Sequence, residues 1–222
     1  MEHTVRAVSQ DLDGISKDVA AMGDLAVAQV RAAVDVFRRH DLVTAIKVVR
    51  ADDALDLQDA EIEKRAIRFI ALRQPMADDL RRPIAAIKTA MQLERCGDLG
   101  KNIAKRVGRM AGPASTETVG SVVELGELAS DRLAAVIDAF RQGNADAAHA
   151  VWLKDTEIDE RHDAVLCRIV AEMTAVSESV GDGAHLLFIA KNLERIGDHA
   201  TNIAELVYYQ ITGGELADRP KL

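Results

Sequence analysis

A fourteen-residue pattern occurs twice in this chain, one hundred residues apart. Residues 92–105 read QLERCGDLGKNIAK and residues 192–205 read NLERIGDHATNIAE. Eight of the fourteen positions agree: Leu93/Leu193, Glu94/Glu194, Arg95/Arg195, Gly97/Gly197, Asp98/Asp198, Asn102/Asn202, Ile103/Ile203 and Ala104/Ala204. Chance rarely keeps Glu, Arg, Gly, Asp and Asn in one frame. Upstream, Met22–Ala26 answers to Leu125–Ala129, Val36–Arg38 to Ala139–Arg141, and Asp52–Asp56 to Asp155–Asp159, each 103 residues apart. A repeat of this length restricts the architecture to two similar halves. We expect one unit over residues 1–110 and a second over 117–214, joined near 108–116, where Gly108, Gly112 and Pro113 break the pattern.

The units are expected to be helical. Strands would show as alternating stretches rich in Val, Thr or aromatics, and none stands out. Aromatic residues make up only 3% of the 222-residue chain. Apolar residues recur instead at helical spacing. The expected helices cover about residues 5–39, 42–72 and 76 onward, then 117–142, 145–176 and 182–212, with Pro83 bending the third. Gly143-Asn144, Gly181-Asp182-Gly183 and Gly213-Gly214 supply the later stops. The fold class is therefore all-α: a tandem duplication of a three-helix bundle, six long antiparallel helices in total.

Charge narrows the partners. The net charge of −8 argues against a nucleic-acid footprint. No apolar run reaches the ~20 residues of a membrane span, and the polar N-terminus does not read as a signal peptide. A cytoplasmic protein is expected, touching membranes only through partners. Cys96 stands where the other copy has Ile196, which marks a core thiol, and neither cysteine lies in a C-x-x-C pair.

The repeated motif is acidic on one side. On a helical wheel with Glu194 at 0°, Asp198 falls at about 40°, Thr201 at about −20° and Glu205 at about 20°, while Ile196, Ala200, Ile203 and Val207 gather opposite. The first copy repeats this with Glu94 and Asp98 on one side and Cys96 and Ile103 on the other. Two further pairs at i, i+4, Asp52/Asp56 and Asp155/Asp159, project carboxylates from the second helix of each half. The stripes should face away from each helix's apolar side, toward solvent, a metal or a neighbouring helix. Gly97 and Gly197, mid-helix, suggest close approach of another backbone or a ligand.

At these residues the chain resembles the PhoU family, phosphate-uptake regulators of bacteria. L-E-R-[C/I]-G-D-x-x-x-N-I-A in both copies carries the resemblance, with the D-x-x-x-D pairs, Met22-Gly23, and Arg73-Gln74-Pro75-Met76-Ala77-Asp78-Asp79-Leu80-Arg81. The resemblance implies two PhoU domains and a homodimer; separately, no G-x-x-x-x-G-K-[S/T], G-x-S-x-G or H-E-x-x-H is present, and no enzyme activity is expected. The resemblance implies negative regulation of phosphate uptake and phosphate-starvation signalling through the phosphate ABC transporter, its ATPase, and a sensor histidine kinase. It also implies metal binding at repeated acidic pairs, here Asp52, Asp56, Glu94, Asp98, Asp155, Asp159, Glu194 and Asp198. Oxygen-rich sites suit hard divalent ions, and carboxylates also take iron or zinc.

The halves differ as candidates. His162, His199 and Glu205 lie near the second set, whereas Leu99, Lys101 and Lys105 occupy the stripe's neighbourhood in the first. Two ammonium groups there should partly neutralise Glu94 and Asp98, so the second half is expected to bind cations more tightly. A plainer alternative makes Arg95/Asp98 and Arg195/Asp198 ordinary i, i+3 ion pairs. Other function classes are a carboxylate-rich helical metal-binding protein or a di-iron-type oxidase. The oxidase would require Glu-x-x-His motifs, and the nearest match, Asp159-Glu160-Arg161-His162, occurs once. Arg81-Arg82 is a further candidate for partner contact.

Overall fold

The computed structural model describes residues 2–176 and 179–216. It contains α1 (Glu2–Arg39), α2 (Leu42–Ala51), α3 (Asp53–Arg73), α4 (Asp78–Val107), α5 (Thr116–Gln142), α6 (Ala145–Trp152), α7 (Asp155–Ala175) and α8 (Val180–Thr212), with no strand among the described residues. The expected six helices are present, but the second of each half is broken once. α2 and α3 part at Asp52, and α6 and α7 part at Leu153 and Lys154. Periodicity alone does not reveal these breaks, because the apolar pattern continues through them. The polar tail beyond Leu216 lies outside the described residues.

Local chemistry places the ends. Asp41 accepts hydrogen bonds from the amides of Val43 and Thr44 and starts α2. Asn144 does the same for α6 through the amide of Ala147, and Ser115 starts α5 through that of Thr118. These short polar side chains satisfy amides that a helix start leaves without partners. α5 stops at Gly143 in the left-handed region (φ 60°); its counterpart after α1 is His40 (φ 49°).

α1, α4, α5 and α8 form a central four-helix assembly in which α1 packs on α4 and α5, and α8 on α4 and α5. α2 and α3 lie against α1 and α4, and α6 and α7 lie against α5 and α8. A single apolar core runs through both halves, from Leu12 and Met22 to Ile203 and Val207. Cys96 lies inside it, fully buried, and its thiol is pushed well above the ordinary range by burial. The α1–α5 contact is internally two-fold. A Cβ on Gly23 would meet Ile137 at 2.7 Å, and one on Gly126 would meet Val34 at 2.6 Å. Arg141 pairs with Asp24 at 2.6 Å, and its counterpart Arg38 pairs with Glu127, the counterpart of Asp24. Each contact therefore occurs twice, with the roles of the two helices exchanged.

The motif glycines do the same work between α3 and α4 and between α7 and α8. A Cβ on Gly97 would collide with Leu55 Cδ1 and lie 3.0 Å from Asp52 Oδ1. A Cβ on Gly197 would lie 2.6 Å from Ile158 Cδ1. Leu55 and Ile158 are themselves buried, so a Cβ would have to displace packed side chains. Each glycine thus lets the acidic helix of one pair lie directly on the acidic helix of the other. Gly97→Ala should destabilise by about 1–2 kcal/mol, the overpacking cost exceeding the ~1 kcal/mol helix-propensity gain. Gly120→Ala, exposed on α5 with nothing within 4 Å, should stabilise by about 0.5–1 kcal/mol. Urea denaturation of both variants checks the opposite signs.

Candidate functional site

The close α7–α8 contact gathers carboxylates. Oxygens of Asp159, Glu194 and Asp198 lie within 4.8 Å of one another. Asp155 sits beside them, buried, with its Oδ1 accepting from Thr201 Oγ1 at 2.6 Å. Glu194 is only 9% exposed. Its Oε1 accepts from Lys191 Nζ at 2.6 Å, and its Oε2 is buried with no hydrogen-bond partner. An ionised oxygen in that position is costly unless a cation or proton meets it.

Of the outcomes left open for the acidic stripe, solvent, a metal or a neighbouring helix, the structure shows a neighbouring helix. Glu194, Asp155 and Asp52 are all buried. The wheel places Glu194 and Glu94 opposite the apolar faces of α8 and α4, and α7 and α3 lie against those helices and bring Asp155 and Asp52 with them. The site is a partly covered groove between two helices, with Asp159 and Asp198 at its open edge.

Burial and mutual repulsion act on proton affinity. Asp198 is pushed up to about 6, first by burial and then by the carboxylates of Glu194, Asp155 and Asp159. Asp159 is raised by burial, then by Asp155 and Glu194.

The first half closes the equivalent groove differently. Lys101 Nζ donates to Asp98 Oδ1 at 2.9 Å and to Asp52 Oδ2. Asp52 is 1% exposed. Its Oδ1 accepts from Gln29 Nε2 at 2.8 Å, and the same amide reaches the Gly97 carbonyl at 3.0 Å. Glu94 faces Arg95 Nε at 3.5 Å and is raised by burial and by Asp98. Asp56 stays exposed at the groove's edge. The i, i+3 pairs Arg95/Asp98 and Arg195/Asp198 are not found among the described residues. Lys101 takes Asp98 instead, and Lys105 is exposed rather than folded into the cluster.

Of the three residues expected near the second set, Glu205 and His199 turn to other partners, while His162 stays close enough to Asp159 for its charge to act on that carboxylate. Glu205 accepts from Trp152 Nε1 at 3.0 Å. His199 faces the α4–α8 seam, where its Nδ1 meets Gln92 Oε1 at 2.7 Å, and burial lowers its proton affinity. His162 is buried on α7 with its Nε2 unpartnered. Gln29 was not foreseen, because it reaches Asp52 and the Gly97 carbonyl from α1, a different helix, with no motif around it.

The donor set fits a hard cation. Oxygens bound to one ion at ~2.0–2.6 Å lie no farther apart than ~4–5 Å, a separation the trio meets, and the orphaned Glu194 Oε2 lacks only a positive partner.

The PhoU domain profile matches residues 19–107 and 122–207, and so covers both halves. The chain belongs to the PhoU domain family. It is 44% identical to the phosphate-specific transport system accessory protein PhoU homolog of Caulobacter vibrioides, across 100% of this chain and 97% of that protein. The homolog of the same name from Rhizobium meliloti is 39% identical over 99% of this chain and 93% of that one. Among solved structures, PhoU from Pseudomonas aeruginosa superposes with a TM-score of 0.89 at 31% identity, covering 93% of this chain and 99% of that one. The phosphate transport system regulatory protein PhoU from Streptococcus pneumoniae gives 0.87 at 28% identity, covering 94% and 99%. The PhoU architecture is thus shared along nearly the full length.

The raised Asp198 has a measurable consequence. Its folded value of about 6 exceeds the ordinary 3.8, so the native state holds this proton more tightly than the unfolded chain. Its contribution to stability is full below about pH 4 and is lost as pH rises through 6. In chelator, the neutral Asp198→Asn variant should melt higher than the parent at about pH 7.5, and the gain should shrink toward about pH 5. Thermal melts across that range check it; a gain constant with pH would contradict the assignment.

Proposed function

We propose that this protein is a non-enzymatic accessory regulator of phosphate transport that restrains phosphate-starvation signalling when phosphate is plentiful. The full-length likeness to phosphate-specific transport system accessory proteins carries this reading. The regulator works through protein contacts, with the ATPase of the phosphate ABC transporter and with the sensor histidine kinase, and as a homodimer in the cytoplasm. No described helix is long and apolar enough to cross a membrane, so contact with the bilayer comes through partners. Exposed apolar side chains support a protein-binding surface. Leu42, Val43 and Ile46 stand out from α2, Val43 at 69% exposure, where α6 carries Ala145, Asp146 and His149. Apolar groups held in water at one place on one half favour a partner there. Deleting the gene should raise phosphate-starvation gene expression in phosphate-rich medium, and unchanged expression would contradict the proposal.

The α7–α8 groove supports a second part of this reading, a divalent cation held by Asp159, Glu194 and Asp198. The buried, unpartnered Glu194 Oε2 is the observation that favours it. Such an ion would supply charge neutralisation between α7 and α8 and nothing catalytic. Titration calorimetry with Mn(II), Zn(II) or Fe(II) should show binding that the Glu194→Ala/Asp198→Ala double variant loses. The Glu94→Ala/Asp98→Ala variant should keep it. Equal losses would contradict the asymmetry between the halves.

A further inference from the structure

We propose that the outer face of the α4–α8 seam is a docking surface for an acidic, amphipathic helix of a partner protein. The inference rests on the reading that this protein works through protein contacts, and it names a face that makes one of them.

α1, α4, α8 and α5 pack in a ring, so the α4–α8 and α1–α5 seams lie on opposite sides. α4 and α8 run antiparallel: Gln92 meets His199, and farther along α4 Arg106 lies over the Phe188 ring, 3.8 Å from its centroid. On a helical wheel Lys88, Arg106 and Arg109 fall within about 40° of Arg95. On α8, Lys191 falls within about 40° of Arg195. Two adjoining stripes thus hold these six cations, and no carboxylate stands in either. Lys88, Arg109 and Arg195 form no ion pair among the described residues. Arg95 faces Glu94 at 3.5 Å with its side chain 56% exposed. The opposite face is neutralised by contrast. Across the α1–α5 seam Arg31 pairs with Asp131 at 3.0 Å, Arg141 with Asp24 at 2.6 Å, and Arg38 with Glu127.

Apolar groups stand in the same two stripes. Met91 is 45% exposed and Phe188 54%, with Ile84 and Tyr209 at 37% each. A face both cationic and apolar suits a partner of opposite charge that brings an apolar stripe of its own. Its width selects a helix. Glu94 and Asp98 border the α4 stripe, and Glu194 and Asp198 border the α8 stripe, about 60–100° away on the wheel. The basic band is therefore about as wide as two packed helices, ~10 Å between axes. A plane of anionic headgroups or a nucleic-acid duplex would run against the bordering carboxylates, and the net charge of −8 opposes both. A single helix, about 10 Å across, seats between the borders. Its carboxylates reach Arg95 and Arg195, whose planar guanidiniums take a carboxylate through two parallel hydrogen bonds. Its apolar side chains cover Met91 and Phe188. This use also accounts for motif residues that the acidic grooves leave aside, because Arg95, Arg195, Asn102 and Asn202 are all exposed in these stripes.

Fluorescence anisotropy with a labelled acidic peptide tests this. The probe repeats the heptad Leu-Ala-Ala-Leu-Glu-Ala-Glu three times, which gives one Leu stripe flanked by Glu. The full-length parent should bind it, and Arg95→Glu/Arg195→Glu should weaken binding about tenfold or more. Arg31→Glu/Arg38→Glu, the same charge change on the opposite face, should bind as the parent does. The peptide with Lys in place of Glu should not bind. Circular dichroism confirms folding. If Arg95→Glu/Arg195→Glu fails to fold, Lys88→Glu/Arg109→Glu takes its place. In cells the folded variant should raise phosphate-starvation gene expression in phosphate-rich medium, as deletion does. No binding by the parent, equal loss in the opposite-face variant, or binding of phosphatidylglycerol vesicles through Arg95 and Arg195 overturns the inference. So does parent-like expression in the variant where deletion raises it. A deletion without effect removes the function reading instead, and the peptide titration then decides the docking face by itself.

Discussion

Carboxylates pressed between two helices repel one another and lose hydration, and the rest of the site's design answers that cost. In each half a motif glycine removes the Cβ that would hold the helices apart, so Leu55 seats on Gly97 and Ile158 on Gly197. The same approach brings Asp52 against Asp98, and Asp155 and Asp159 against Glu194 and Asp198. Breaking a buried ion pair by removing one partner typically costs about 3–5 kcal/mol. Close packing of acidic helices is therefore costly unless a cation or a bound proton offsets the repulsion. Lys101 meets the requirement in the first half. The second half meets it in part, with Lys191 at the rim and protons drawn toward Asp198 and Asp159.

The duplication is also what joins the halves. Reciprocal glycine contacts, Gly23 with Ile137 and Gly126 with Val34, set the α1–α5 crossing from both sides. The reciprocal ion pairs Arg141–Asp24 and Arg38–Glu127 flank it at exposed positions, where such pairs add little stability but favour one register. α4 and α8 pack alongside, so the motif helices of both halves share the core. Both grooves thus sit on one assembly.

Much of this was legible from residues alone. The repeat gave the helix order, the mid-helix glycines signalled close approach, Ile196 opposite Cys96 marked a core thiol, and Lys101 was placed beside the carboxylates of the first half. What escaped was whatever depends on a second helix. A wheel for α8 places Glu194 opposite Ile196 but does not say that α7 covers it. Glu205 lies on the same stripe, yet Trp152, 53 residues away on α6, takes its Oε1. Lys101 and Lys105 look alike on the wheel, but only Lys101, one turn from Asp98, also reaches Asp52 across the α3 contact. Gln29 contributes from α1 and has no local signature at all. The breaks at Asp52 and at Leu153–Lys154 escaped because the apolar pattern continues through both.

Anomalous diffraction from crystals grown with Mn(II) tests the central claim, that carboxylates pressed together between helices draw a positive charge, the Lys101 ammonium in one groove and a cation in the other. The account predicts an anomalous peak between Asp159, Glu194 and Asp198, bonded to Glu194 Oε2, and none between Asp52 and Asp98, where the Lys101 ammonium should remain. Peaks of equal height in both grooves, or a peak only beside Asp52 with Lys101 swung out to solvent, would contradict it.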